Sequence, residues 1–193
     1  GFLGLLHLDV VQERLEREYD LSLILSAPSV RYRIVLNDDS EVWIDNPTFY
    51  PDPASIKEAY EPYIKATIMT PERYLGTVME LCRERRGVDT TFHYLSAGRM
   101  EVVSQVPLAE VLFDFHDKLK SVTRGYASMD YEFIDYRLGD LVKVDVLVNG
   151  DPLDALSIIV HRERAYNRGR ALAEKLKEFV PQQQYEVAIQ AAI

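Results

Sequence analysis

The chain has 193 residues, 47% of them hydrophobic, enough to bury one large core or two small ones. A formal charge of −9 argues against a uniformly basic nucleic-acid binder, and a lone cysteine, Cys82, leaves no disulfide framework or structural zinc cluster to build on. No run approaches the roughly 20 apolar residues of a membrane span and no secretory leader pattern is present, so a soluble, unexported chain of more than one domain is expected.

The opening "GFLGLLHLDVVQERLEREYDLSLI" places Leu5, Leu8, Val11, Leu15 and Tyr19 on one helical face, opposite Asp9, Glu13, Glu16, Arg17 and Asp20. Surface pairs such as Glu13 with Arg17 contribute only a few tenths of a kcal/mol, so this helix is expected to need a sheet beneath its stripe. With no Met or capping residue before it, the chain reads as cut from something longer. "APSVRYRIVL" then alternates as a strand, with Pro28 near its start. Turn residues and three prolines from Asn37 to Pro53 predict irregular chain, anchored by Trp43, Phe49 and Tyr50.

From Glu61 to Leu138 the elements can be counted. "YIKATIMT" reads as a strand, and Thr70 and Pro71 as the cap and first residue of a helix that buries Tyr74, Val78, Leu81 and Cys82 and stops at Gly87. "DTTFHYL" and "MEVVSQV" form a hairpin through "SAGR", with Gly98 at the permissive turn position. Pro107 opens a second helix with Leu108, Val111, Leu112, Phe115, Leu119 and Val122 inward, closed by Gly125. The last strand, "ASMDYEFIDY", sets Ala127, Met129, Tyr131 and Phe133 on one face and Ser128, Asp130 and Glu132 on the other. The order β-α-β-β-α-β predicts an α+β, ferredoxin-like domain with both helices on one side of a four-stranded sheet. Beyond Gly139 come two strands around "NGDP", a helix from Tyr166 to Val180 with Leu172, Leu176 and Phe179 inward, and the start of a strand in "QYEVAIQAAI", where the chain again reads as interrupted.

Chemistry-bearing motifs are sparse. There is no phosphate-binding loop or dinucleotide fingerprint, and His7, His93, His116 and His161 lack helical zinc spacing. Asp130 and Glu132 share a strand face, which suits a solvated outer surface better than an acid and base pair. Two basic clusters remain. "CRERRG" sets Arg83, Arg85 and Arg86 at a helix C-terminus, where cations complement the helix dipole and could equally meet a phosphate. "HRERAYNRGRALAEKLK" sets Arg162, Arg164, Tyr166, Arg168, Arg170 and Lys175 against only Glu163 and Glu174 up to that lysine, an arrangement open to RNA contact or to an ordinary solvated face.

The stretch "GLLHLDVVQERLEREYDL" resembles the helix of the third domain of elongation factor G-like translational GTPases, and "EPYIKATIMTPERYLGTVMELCRERRG" resembles the start of their fifth. "LGDLVKVDVLVNGDPLDALSIIVHRERAYNRGRALAEKL" and "YEVAIQAAI" are similar to the distinctive C-terminal domain of the LepA branch, the ribosomal back-translocases. About 25 residues separate "SVRYRIV" from "EPYIKAT", too few for the inserted fourth domain of elongation factor G, and "LDALSIIVHR" speaks against the BipA branch. The resemblance implies four pieces: residues 1–36 as the last helix and strand of domain III, 37–60 as a linker, 61–138 as domain V, and 139–193 as the first part of the C-terminal domain.

On this reading the chain carries no catalytic, cofactor or metal site. GTP and Mg²⁺ are expected on a G domain elsewhere in a parent GTP hydrolase. The implied partners are the ribosome, through large-subunit RNA and the stalk base, and the tRNA acceptor arm. The nine residues of the two basic clusters are the candidate RNA contacts, selected by the resemblance. A monomer with no small-molecule substrate is expected, cytoplasmic or peripheral at the bacterial inner membrane. The competing readings are a ferredoxin-like regulatory module that binds a small molecule, and a small enzyme built on Asp130, Glu132 and His93. An RNA-recognition module of the aromatic-sheet type lacks its "GFGFVxF"-like strand motif.

Overall fold

The structure, a computed structural model, describes residues 5–23, 29–96, 98–112, 114–179 and 188–193. The expectations for Gly1, Pro28, Ala97 of the hairpin turn, Val180 and residues 184–187 lie outside the described residues, as do the side chains of Leu5 and Phe179. Helix α1 (Leu5–Tyr19) forms over the predicted stripe, with Arg14 paired to Glu18 one turn on. Among the described residues no sheet lies beneath the stripe, since Leu15 and Tyr19 are exposed and Leu8 and Val11 only half-buried.

Strand β1 (Tyr32–Leu36) turns back at Asp38 and Asp39 into β2 (Glu41–Ile44). The expected irregular stretch therefore contains a strand. It is short and flanked by turn residues, and only Ile44 is fully buried, so it shows little periodicity. Two 3₁₀ turns follow, each opened by an Asn or Asp side chain that accepts a backbone N–H, at Asn46 and Asp52. Of the expected anchors, Tyr50 donates to the Leu141 carbonyl at 2.8 Å and Trp43 packs edge-on against Tyr136, while Phe49 is exposed.

Strand β3 (Ile56–Pro71) begins seven residues before the expected Tyr63 and leads through α2 (Leu75–Glu84), β4 (Val88–Ser96), β5 (Arg99–Pro107), α3 (Phe115–Val122) and β6 (Ser128–Leu138). These four strands pair antiparallel in the spatial order β6-β3-β5-β4, and α2 and α3 pack over the buried face. This is the ferredoxin-like arrangement. Alternation drives it: Met100, Val102, Ser104 and Val106 of β5 are buried while Glu101, Val103 and Gln105 are not. One edge of β3 pairs with β1 from Ile56 to Tyr60 and with β5 from Tyr63 onward, so the β1–β2 hairpin extends the ferredoxin-like sheet.

Both helices start later than expected. The β3–β5 ladder holds Thr70 and Pro71 until Pro71 meets Arg99, so a 3₁₀ turn at Glu72–Tyr74 intervenes before α2. After Pro107 a 3₁₀ turn over Leu108–Glu110 aims Leu108 and Leu112 at a second core, and α3 begins only at Phe115. At the end of α2, Arg86 takes the left-handed conformation (φ 59°), and Gly87 is required by contact, since a Cβ there would lie 2.7 Å from the Cys82 carbonyl. Cys82 is fully buried, which pushes its thiol up to about 11, as suits a packed residue. Ala127, just before β6, and Met129 on it join the core as expected, but Tyr131 and Phe133 emerge beyond the helices, 47% and 57% exposed.

The remaining elements are β7 (Leu141–Val148), β8 (Asp151–Pro152), β9 (Ile158–His161), α4 (Arg162–Phe179) and β10 (Ile189–Ala192). Asn149 and Gly150, both at positive φ, make the tight turn from β7 into β8. β7 is central, pairing with β8, β9 and β10, and α4 packs on β7, β9 and β10. Three apolar clusters run along the molecule. The first lies under α2 and α3, the second joins β1, β2 and β3 to Leu141 and Ile159, and the third seats Ala165 of α4 against Val142 and Val144.

Candidate nucleic-acid interface

The two basic clusters lie close together in space, because α4 starts beside the end of α2. Arg164 of α4 donates to the backbone carbonyl of Glu84, the last residue of α2. Arg168, one turn on, points at the buried Glu110 carboxylate at 3.5 Å. Arg85 is buried and pairs with Asp114 at 2.9 Å. Arg86 binds the buried Glu61 through two guanidinium nitrogens, at 2.6 and 3.1 Å. Four of the nine candidate residues thus have their charged heads turned to groups within the fold.

Five face outward. Arg83 is 80% exposed on its side chain and touches only Glu80, an i, i+3 neighbour. Arg162, Tyr166 and Arg170 follow one another at i, i+4 along α4, so they form a single ridge. Arg162 pairs with Asp140 and Arg170 with Glu174, both at 2.8 Å and both more than half exposed, so these contacts are weak and exchangeable. Tyr166 is exposed with its ring free to stack, and Lys175 is exposed on the same flank as Arg164 and Arg168.

Buried carboxylates at the centre of this junction explain the inward arginines. Glu61 on β3 and Glu110 after β5 both raise the Tyr32 hydroxyl's pKa, on top of burial, which has the larger effect. That hydroxyl stays protonated and donates to the Ile159 carbonyl. At Asp114, partial burial pulls the carboxyl upward, but hydrogen bonding and charge from Arg85 outweigh it and the net shift is downward. A carboxyl lowered in the folded state stabilises the fold above its unfolded pKa of roughly 3.9 and loses that contribution as pH falls through the lower folded value. Thermal melts should therefore drop more steeply below about pH 4 in this chain than in an Asp114→Asn variant. Parallel acid limbs would remove the pair from the account.

Among the described residues the other polar groups do not assemble into a centre. Glu132 pairs with Lys65 at 2.5 Å on the open sheet face, and His93 stands opposite Glu101 on the β4–β5 ladder. Among the described residues no group of three or more His, Cys, Asp or Glu side chains could hold a metal ion, and no helix is long and apolar enough to cross a membrane. What sequence reasoning missed were the acidic partners Glu61, Glu110 and Asp114, which lie 25 to 58 residues from the arginines they hold.

The profile described as elongation factor G C-terminus matches residues 58–147, and that described as GTP-binding protein LepA C-terminus matches 148–193. Over its whole length the chain is similar to proteins named elongation factor 4. Relatives named elongation factor 4 are 62% identical in Syntrophus aciditrophicus, 60% in Desulfotalea psychrophila and 60% in Sorangium cellulosum, each over all 193 residues. The chain spans about a third of the length of these curated relatives, 32% in each case. Most of β3, all of α2 to β6 and most of β7 fall in the first match and α4 in the second, so the outward ridge lies in the part that matches the LepA C-terminus.

Proposed function

We propose that this chain is the ribosome- and tRNA-facing part of a translational GTPase that acts in back-translocation or in the fidelity of protein synthesis. GTP and Mg²⁺ would be handled by a separate G domain of the parent protein, and the present chain supplies recognition. Its four strand-and-helix pieces would follow the division drawn from the sequence: a domain III portion over 1–36, a connector over 37–60, a domain V-like unit over 61–138 and the LepA-type unit over 139–193. The domain V-like unit would meet large-subunit RNA at the stalk base, and α4 would reach toward the tRNA acceptor arm. The parent would work as a monomer in the cytoplasm, with peripheral contact at the bacterial inner membrane.

The observation that carries this reading is the exposed Arg162–Tyr166–Arg170 ridge, in the segment that matches the LepA C-terminus. Structured RNA is recognised chiefly through phosphate and 2′-hydroxyl contacts, which guanidinium and phenol groups on a rigid helix supply. Arg83 and Lys175 extend the surface on either side. Arg164 would contribute by tying α4 to the end of α2 and Arg168 by tying it to Glu110, while Arg85 and Arg86 anchor the end of α2 to Asp114 and Glu61, their charge adding to the local field.

Charge reversal tests the division of labour. An Arg162→Glu, Arg170→Glu, Lys175→Glu variant should weaken co-sedimentation with ribosomes and flatten the plot of log affinity against log salt by about 2 in slope. Its melting temperature should stay within a degree or two of the parent's, because all three side chains are exposed. Unchanged affinity and slope would remove α4 from the interface. Heat stabilisation by a small molecule, with no ribosome association, would favour the regulatory-module reading instead.

A further inference from the structure

Opposite the second core, the β1–β2 end of the large sheet presents a face built from four strands that the described residues leave open. Trp43 of β2, Arg33 of β1, Tyr60 of β3 and Leu138 of β6 stand directly opposite one another in register, so their side chains share that face as one row. Tyr136 of β6 lies two residues from Leu138 on the same face, and its ring centroid is 5.2 Å from that of Trp43 and 5.6 Å from that of Phe133. Guanidinium groups are laid on these rings. Arg31 sits over Trp43 at 4.9 Å and Arg33 over Tyr60 at 4.2 Å. Trp43, Phe133 and Leu138 are between 42% and 66% exposed, and the Arg33 Nε has no hydrogen-bond partner.

We propose that this face is a stacking platform for the unpaired bases of single-stranded RNA. The proposal is independent of the α4 surface. Splayed bases are bound by exposed aromatic rings and guanidinium planes on a sheet, which here are tilted against one another at 82° and 57°, and the sequence motif that usually announces such rings is only one way to place them. Here the rings come from β2, β3 and β6, which is why no single strand shows them. Charge argues for bases over phosphates. Arg33 is already 3.6 Å from Glu41, and the Tyr60 hydroxyl donates to Glu58, so the rim is close to neutral and would neither attract a duplex backbone nor repel a base. A protein partner would also find aromatic and arginine anchors here, and the test below separates the two.

Trp43 is the chain's only tryptophan, so its fluorescence reports on the platform alone. Titrating the full chain with a single-stranded RNA 10-mer should quench that emission saturably, and a duplex of the same length should quench it far less. The midpoint should move little between 50 and 200 mM salt. Phe133→Ala and Tyr136→Ala should each weaken binding about tenfold, as expected for loss of one base-stacking ring. Both residues lie at the surface, so circular dichroism should be unchanged. The α4 charge-reversal variant should quench as the parent does, which keeps this result separate from the fate of the α4 reading. No quenching, equal quenching by duplex, or quenching indifferent to both substitutions would overturn the proposal. Ribosomal-protein binding that is lost in Phe133→Ala, with no RNA quenching, would assign the face to a protein instead.

Discussion

Arg86→Ala should cost the fold roughly 3–5 kcal/mol, whereas Arg83→Ala, three residues away, should leave it within about 0.5 kcal/mol. The difference is entirely one of surroundings. Glu61 is 2% exposed on its side chain and Arg86 15%, and the two meet through two parallel hydrogen bonds. Removing the guanidinium strands a carboxylate in the interior with no route to water. It cannot swing aside either, because Gly139 leaves it just enough room: a Cβ on that glycine would stand 2.6 Å from the Glu61 Oε1. Arg86→Lys should recover only part of the loss, since an ammonium cannot reproduce the fork. Replacing both partners, as Glu61→Leu with Arg86→Met, should restore most of it, because an apolar pair carries no desolvation penalty. Urea midpoints for the four variants decide the matter. Equal midpoints for Arg86→Ala and Arg83→Ala would show that the buried pair stabilises nothing. The comparison also guards the functional assays, since any loss of ribosome binding in Arg86→Ala would have to be read against its stability first.

Gly169→Val should detach α4 from its sheet, at a cost of about 2–4 kcal/mol. A Cβ at Gly169 would lie 2.8 Å from the Ala191 Cβ and 3.3 Å from a Val144 methyl. Ala191 is fixed to the β10 backbone, so the contact cannot be relieved by rotating a side chain, and the helix must move outward. Gly169→Ala should be milder, because alanine returns up to about 1 kcal/mol of helix propensity while creating the same closest contact. The readout should be local. Amide exchange should accelerate in α4 and β10 and remain slow in β3 and β5, whose core lies under α2 and α3. Uniform acceleration across all strands would mean that α4 and the ferredoxin-like unit unfold together.

The ferredoxin-like pattern was legible because its strands alternate and its helices carry clear stripes, as in Met100 to Val106 of β5. Its boundaries were not. Pro62 inside a run of apolar residues argues against a strand, yet β3 passes straight through it. The reason is topological. On the edge shared by β1 and β5, β1 pairing ends at Tyr60 and β5 pairing begins at Tyr63, so Pro62, which has no N–H to give, falls in the gap between partners. Likewise the RNA candidates could be picked as arginines but not sorted. Nothing near Arg85, Arg86 or Arg168 in the sequence announces that Asp114, Glu61 and Glu110 will meet them. The cluster of Trp43, Tyr60, Tyr136 and Phe133 was invisible for the same reason, since each sits on a separate strand or beyond a bulge in β6.

The length of β3 has a mechanical consequence. Its 16 residues span about 50 Å, and one end is laced to the hairpin while the other lies beneath both helices. A tug along this spine loads its cross-strand bonds together, in parallel, and they would have to rupture at once; a sideways pull would undo them singly. Any force applied along β3 at one extremity would therefore reach the opposite extremity as the displacement of a stiff rod.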